Sequence, residues 1–176
     1  MNESGTSPSA RSELLEYEAD RRTIDFLKSI LEKATSLNLH IDAQANILIG
    51  VSVAIFLFSV AQVDEGNGIL KILSLSSAFA ALTALLAIHP PAFMRKKGQE
   101  ESLMYNKRII GFKAADDYRN ALEEVVENRR RILEQYAVEI YNTYRFSYRP
   151  KRMLFKAARN ILLIGVLLST VFSLMD

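Results

Sequence analysis

Arginine forks and tyrosine rings are the residue types in this chain best suited to chemistry. Arg129-Arg130-Arg131 stand in succession, and Tyr118, Tyr136, Tyr141 and Tyr144 lie nearby in sequence. A guanidinium fork matches phosphate oxygens, and a tyrosine face stacks on a base, so these residues are the raw material of a nucleotide pocket. Three consecutive arginines splay around a helix, however, and cannot all face one ligand. A solvated or headgroup-facing basic stretch is the competing reading.

A second polar group is His40, Asp42, Gln44 and Asn46, just ahead of a long uncharged run. It reads either as an interfacial cap facing water or as a gating or ligand contact, because polar groups at membrane depth need partners. His40 and Asp42 make a weak catalytic pair, since positions two apart on a helix point to different sides. Carboxylate pairs at Asp116-Asp117 and Glu123-Glu124 sit on a polar helix face and read as solubilising. The chain has no cysteine and two widely separated histidines, His40 and His89, which argues against thiolate or histidine metal sites. It also lacks a nucleophile elbow, a P-loop, a dinucleotide fingerprint and an HExxH pair. No enzyme, no cofactor and no nucleic acid polymer is expected.

The elements that position these residues are dominated by three apolar stretches, at 45–63, 69–88 and 157–175. A hydrocarbon core of roughly 30 Å needs about 20 apolar residues at 1.5 Å each, so every stretch can span it. Their only charged residues, Lys71 and Arg159, lie at span edges where their stems can snorkel. Small or polar residues recur four apart in each: Asn46, Gly50 and Ala54; Ser76, Ala80 and Ala84; Gly165, Ser169 and Ser173. Such faces let helices approach closely in lipid, either within one protomer or between protomers.

Charge sets the orientation. The loop around Asp64-Glu65-Gly66-Asn67-Gly68 has no basic residue, whereas Arg95-Lys96-Lys97 follow the second span. Arg149, Lys151, Arg152, Lys156 and Arg159 precede or open the third. Residues 95–160 carry sixteen Lys/Arg against nine Asp/Glu, while residues 1–44 carry five against eight. The positive-inside rule then places the N-terminus and the central segment in the cytoplasm. The first apolar run begins too late for a signal peptide and lacks a cleavage pattern.

Residues 1–10 are small and polar and read as a disordered tail. From Glu13 to Ile49 there is no Gly or Pro, and Tyr17, Ile24, Leu27, Leu31, Ala34 and Ile41 recur at helical spacing. The pattern predicts one helix from about 9 to 63, cytoplasmic over 11–44 and membrane-spanning over 45–63. Its apolar stripe needs a partner helix. Residues 114–147 supply one, with Leu122, Val126, Leu133, Ile140 and Tyr144 on one face. Pro150 is expected to break or kink the path before the third span, and His89-Pro90-Pro91 to end the second. Residues 99–113 read as a short helix ending near Gly111 or as a loop. The expected architecture is all-α: an integral membrane protein with three transmembrane helices, an external turn at 64–68 and a cytoplasmic helical sensor segment at 89–156.

Several stretches resemble the Pycsar effector transmembrane family. Ile41-Asp42-Ala43-Gln44-Ala45-Asn46-Ile47-Leu48 is similar to its D-x-K-A-N-x-L segment, where the first helix enters the membrane. Asn106 to Phe112, Asp117-Tyr118, Gln135 to Ile140 and Tyr141, then a basic run into a final span, follow the family's order. Gln44 stands where the family has lysine, so any contact made by that lysine is here neutral or supplied elsewhere. The resemblance implies an antiphage effector of the bacterial inner membrane. A neighbouring pyrimidine cyclase would make cyclic CMP or cyclic UMP on infection, and the effector would then impair membrane integrity and cause abortive infection. On that reading Arg129 and Arg131 are candidates for the ligand's phosphate, with Tyr105, Asn106 and Arg108 as further contacts. Asp42, Gln44 and Asn46 are candidates for gating. Membrane lipids, the cyclic nucleotide and further copies of the chain are the expected partners. A constitutive membrane scaffold or regulatory subunit, binding a protein partner, is the alternative.

Overall fold

The structure, a computed structural model, describes residues 8–62, 68–94 and 101–175, and these are helical almost throughout, with no strand among them. Residues 1–7 of the expected tail, most of the expected external turn and the Arg95-Lys96-Lys97 run lie outside the described residues. Helix α1 runs Pro8–Ala61 and α2 runs Gly68–Ile88. Pro8 holds the first helical position, where a missing N–H costs nothing because that group has no intrahelical acceptor. Pro90 and Pro91 cannot continue α2, and a short 3-10 turn at Ala92–Met94 follows. Three helices, containing 20–61, 68–88 and 129–175, are long and apolar enough to cross a membrane.

The chain divides into two compact units. One comprises residues up to Lys33 together with Glu101–Ile140, here the polar unit. The other comprises Ala34–Glu100 and Tyr141–Asp176, here the membrane unit.

In the polar unit, α3 (Asn106–Gly111) is the short helix that was one of two readings for this stretch. The single helix expected over 114–147 is instead interrupted. Helix α4 (Ala115–Val126) stops, and α5 (Arg129–Asn142) starts afresh. Asn128 explains the break, because its side-chain Oδ1 accepts the Arg130 N–H at 3.0 Å and so caps α5. The interruption re-phases the apolar stripe, and Val126, expected to be inward, is exposed.

The membrane unit is built on a seven-residue repeat of small residues. Helix α1 buries Ala34, Ile41, Ala45, Ser52 and Ser59. These continue the register of the Ile24, Leu27 and Leu31 stripe into the membrane-spanning half of the same helix. Asn46, Gly50 and Ala54, for which packing within the protomer is one of two readings, are exposed and do not pack within the chain. A four-residue step drifts about 40° per repeat on an α-helix, whereas alternating threes and fours keep one face on a neighbour. The same alternation appears as Ser77, Ala80, Ala84 and Ala87 on α2. On helix α6 (Arg149–Met175) it appears as Ala158, Leu162, Gly165 and Ser169.

Helices α2 and α6 pack most extensively, and antiparallel. A Cβ on Gly165 would overlap the Ser76 side chain, and Ser169 Oγ donates to the Ile69 carbonyl at 3.4 Å. In lipid there is no hydrophobic drive between helices, so close backbone approach and dispersion must hold them. The buried hydroxyls of Ser59 and Ser77 donate to carbonyls one turn back, at 2.7 Å each, and so are satisfied without a partner helix.

The break expected at Pro150 takes another form. Residues Thr143–Tyr148 make a π-helical turn, in which the Arg149 N–H reaches the Tyr144 carbonyl five residues back. Proline lacks an N–H, and its ring presses on the carbonyl four residues back. Widening the preceding turn relieves that clash, and the helix runs on through a buried Pro150.

This packing predicts that Gly165→Leu, which forces a side chain into Ser76, lowers stability by about 2 kcal/mol or more in detergent unfolding. Gly50 has open space around its Cβ position, so Gly50→Leu should shift stability by no more than about 0.5 kcal/mol. Equal losses at both positions would contradict the α2–α6 seam.

Candidate functional site

The polar unit is organised by the segment that precedes α3. Ser102 and Leu103 are buried there although neither belongs to a helix. Helix α5 holds this segment through two side chains one turn apart. Gln135 Oε1 accepts the Leu103 N–H at 2.7 Å, and the Glu139 carboxylate accepts the Ser102 hydroxyl. From α4, the Tyr118 hydroxyl donates to the Leu103 carbonyl at 3.2 Å, and its ring meets Phe112 at 5.3 Å. A buried, non-helical backbone has polar groups that must be paired; Gln135 and Tyr118 do that for Leu103, and Glu139 pairs the buried Ser102 hydroxyl.

That anchoring presents Tyr105, Asn106 and Arg108 together at the exposed start of α3. Tyr105 is the residue that precedes the helix, and the Arg108 guanidinium donates back to the Glu101 carbonyl. Arg131, Gln135 and Glu139 stand at four-residue intervals on α5, so Arg131 lies about 6 Å of helix rise from the residue that holds Leu103.

The three arginines separate as their spacing requires. Arg129 pairs with Asp20 of α1 at 2.9 Å, Arg130 with Glu134 at 3.1 Å, and Arg131 with Glu124 of α4. The hydrogen bond and charge of Glu124 raise the Arg131 pKa, so its guanidinium stays charged. Both phosphate candidates therefore start bound to a carboxylate, Arg129 to one on α1 and Arg131 to one on α4 across the α4–α5 break. Their side chains remain 56% and 46% exposed, and in such positions solvent screening leaves an ion pair weak and exchangeable.

The group where α1 enters the membrane does not act as one cluster. Gln44 and His40 bond each other at 3.0 Å along α1, and Asn46 is exposed. Asp42 alone reaches another helix, where both its oxygens accept from Lys151 Nζ at 2.7 Å. The pair is the least exposed ion pair among the described residues, at 14% for Lys151 and 27% for Asp42. One turn away, the Ser147 hydroxyl donates to Asn38 Oδ1 at 3.2 Å, and Asn38 bonds the Ala34 carbonyl at 3.3 Å. Contacts that rise together on α1 and on the segment leading through α6 make the two helices parallel at this end.

The family model of the Pycsar effector protein domain matches residues 26–175. The chain belongs to this Pycsar effector family. It is therefore an effector of antiphage defence, and its three candidate spans fit a membrane protein. No curated protein and no solved structure matches the chain. Within this Pycsar effector, the stretches that carry the sequence resemblance now have physical roles. Tyr118, Gln135 and Glu139 hold the 101–105 segment, and Asp42 makes the ion pair between helices. Gln44 bonds His40 within α1. Lys151, Ser102 and Glu139 were not singled out by sequence as contacts. Four-residue spacing places Lys151 and Glu139 on helix faces, whereas Ser102 lies outside any helix, and no sequence signal names a partner more than thirty positions away.

Losing one member of the Asp42–Lys151 pair leaves a largely buried charge alone. Asp42→Ala should cost about 3 kcal/mol in detergent unfolding, near the lower figure for a buried pair. The charge swap Asp42→Lys with Lys151→Asp should recover part of the loss. No recovery would mean that helix packing, not pairing, fixes this end.

Proposed function

We propose that the chain is a ligand-gated effector of the bacterial inner membrane, with its N-terminus and central segment in the cytoplasm. Its trigger is cyclic CMP or cyclic UMP made by a partner pyrimidine cyclase during infection. Its output is loss of inner-membrane integrity, which ends in abortive infection. It works without catalysis and without a cofactor. The observation that carries this reading is the family match over residues 26–175, which takes in the spanning helices and most of the polar unit.

The geometry supports a specific way of coupling ligand to membrane. A cyclic nucleotide brings one anionic phosphate, and the exposed pairs of Arg129 and Arg131 offer guanidinium forks held only weakly by carboxylates. Phosphate capture by Arg129 releases Asp20, and with it an ion pair from α5 to α1. Tyr105 supplies a ring for the base, and Asn106 and Arg108 supply donors. Helix α1 runs without interruption from Asp20 to its membrane-spanning half, so releasing its first half shifts the population of its packing states. The Asp42–Lys151 pair is the gate that such a shift must break. The exposed face at Asn46, Gly50 and Ala54 is then available to a second protomer in a homo-oligomer.

Calorimetric titration of the purified chain with cyclic CMP and cyclic UMP, with dye release from vesicles, tests this reading. The combined Arg129→Gln and Arg131→Gln change should weaken binding about tenfold or more, as expected for loss of a charge-assisted hydrogen bond. Asp20→Asn, which removes the competing carboxylate, should strengthen binding and lower the ligand level needed for release. If neither nucleotide binds the unaltered chain or releases dye, the reading loses its trigger.

A further inference from the structure

Arg149, Arg152, Lys156 and Arg159 follow one another on α6 at intervals of three, four and three residues. That spacing holds them within a strip of about 80° over about 15 Å of helix. All four are exposed, and among the described residues none makes an ion pair. This sets them apart from the polar unit, where Arg119, Arg129, Arg130 and Arg131 each hold a carboxylate. Asp42 is the one carboxylate among the described residues of the membrane unit, and Lys151 occupies both its oxygens. The strip therefore has no counter-anion within the described unit.

Two further observations fix what supplies the anion. From Asn160 to Met175, α6 carries no charge over about 24 Å of helix. Arg159 and Lys156 stand directly at the start of this uncharged run, at the inner edge of the headgroup layer, where their stems lie along apolar surface and their charged ends reach up to phosphates. At the other end of the strip, Arg152 lies 5.8 Å over the Tyr148 ring, which meets Tyr144 edge-on at 5.9 Å. Tyrosines beside cations are the composition of an interfacial belt. A single soluble phosphate needs convergent donors, whereas cations in a line of this length face an array of phosphates.

We propose that this strip binds the phosphates of anionic phospholipid headgroups and sets the depth and rotation of α6 in the bilayer. The inference rests on the membrane part of the reading above and is independent of nucleotide sensing. The test uses the full chain in nanodiscs of phosphatidylcholine alone or mixed with phosphatidylglycerol. Native mass spectrometry counts retained lipids, and thermal unfolding reports stability. Phosphatidylglycerol should be retained preferentially, and the preference should fall by roughly fivefold for each cation neutralised among R149Q, R152Q, K156Q and R159Q. It should also fall with salt. The charge-preserving set R149K, R152K and R159K should keep it, as should R119Q and R130Q in the polar unit. If the combined glutamine variant fails to enter discs, R152Q and K156Q measured singly carry the same expectation.

Equal retention of both lipids by the unaltered chain, or an unchanged preference in the glutamine variants, overturns the proposal. Stabilisation by inorganic phosphate in phosphatidylcholine discs, lost in the same variants, reassigns the strip to a soluble anion and also overturns it. Absence of the chain from discs of either composition removes the membrane premise itself. A failure of cyclic nucleotides to bind leaves every one of these readouts intact.

Discussion

Everything in this molecule depends on one helix keeping a single face inward while its surroundings change from water to lipid. In α1 that face is set by a repeat of sevens: half-buried Leu27 and Leu31 and buried Ala34, then Ile41, Ala45, Ser52 and Ser59. What changes along it is side-chain size. Outside the membrane the stripe uses branched aliphatics, because water drives their burial. Within the membrane it shrinks to Ala and Ser, because lipid gives no such drive and only close approach holds helices together. Helices α2 and α6 obey the same rule, with Gly165 against Ser76 as its tightest point.

The two units are consequently stabilised by different physics. The polar unit relies on side chains that pair a buried, non-helical segment: Gln135 and Tyr118 hold the Leu103 backbone, and Glu139 holds the Ser102 hydroxyl. Its ion pairs are exposed and therefore exchangeable. The membrane unit holds one largely buried ion pair and many self-satisfied hydroxyls. A ligand of modest affinity competes easily with the first kind of contact and hardly at all with the second. The contacts of the polar unit are thus the exchangeable ones, and those of the membrane unit the persistent ones.

Much of this was legible in the residues. Apolar length gave the three spans, and the absence of Gly and Pro gave the long α1. The α1 stripe from Leu27 to Ile41 faces inward as its spacing predicts, whereas Ile24 is exposed. Other features were hidden for definite reasons. The face at Asn46, Gly50 and Ala54 looked like a packing surface because small residues four apart suit close approach. Only the partner's geometry selects the sevenfold register instead. Asn128 was a cap disguised within a stretch free of Gly and Pro. Lys151 read as one of several orienting cations, and its pairing with Asp42 joins positions 109 apart, beyond any local signal. Of the site candidates, sequence correctly separated Arg129 from Arg131 around the helix, but not their carboxylates.

The π-helical turn at Thr143–Tyr148 has a consequence for how this chain tolerates change. It is one residue more than an ordinary turn needs, stored between two stretches of regular helix. Along the axis a residue amounts to about 1.5 Å, but around it to about 100°. Insertions or deletions in this turn therefore alter the heading of α6 far more than its reach. Sequences that differ there by a single position are of nearly equal length, yet they point the whole final span at different neighbours.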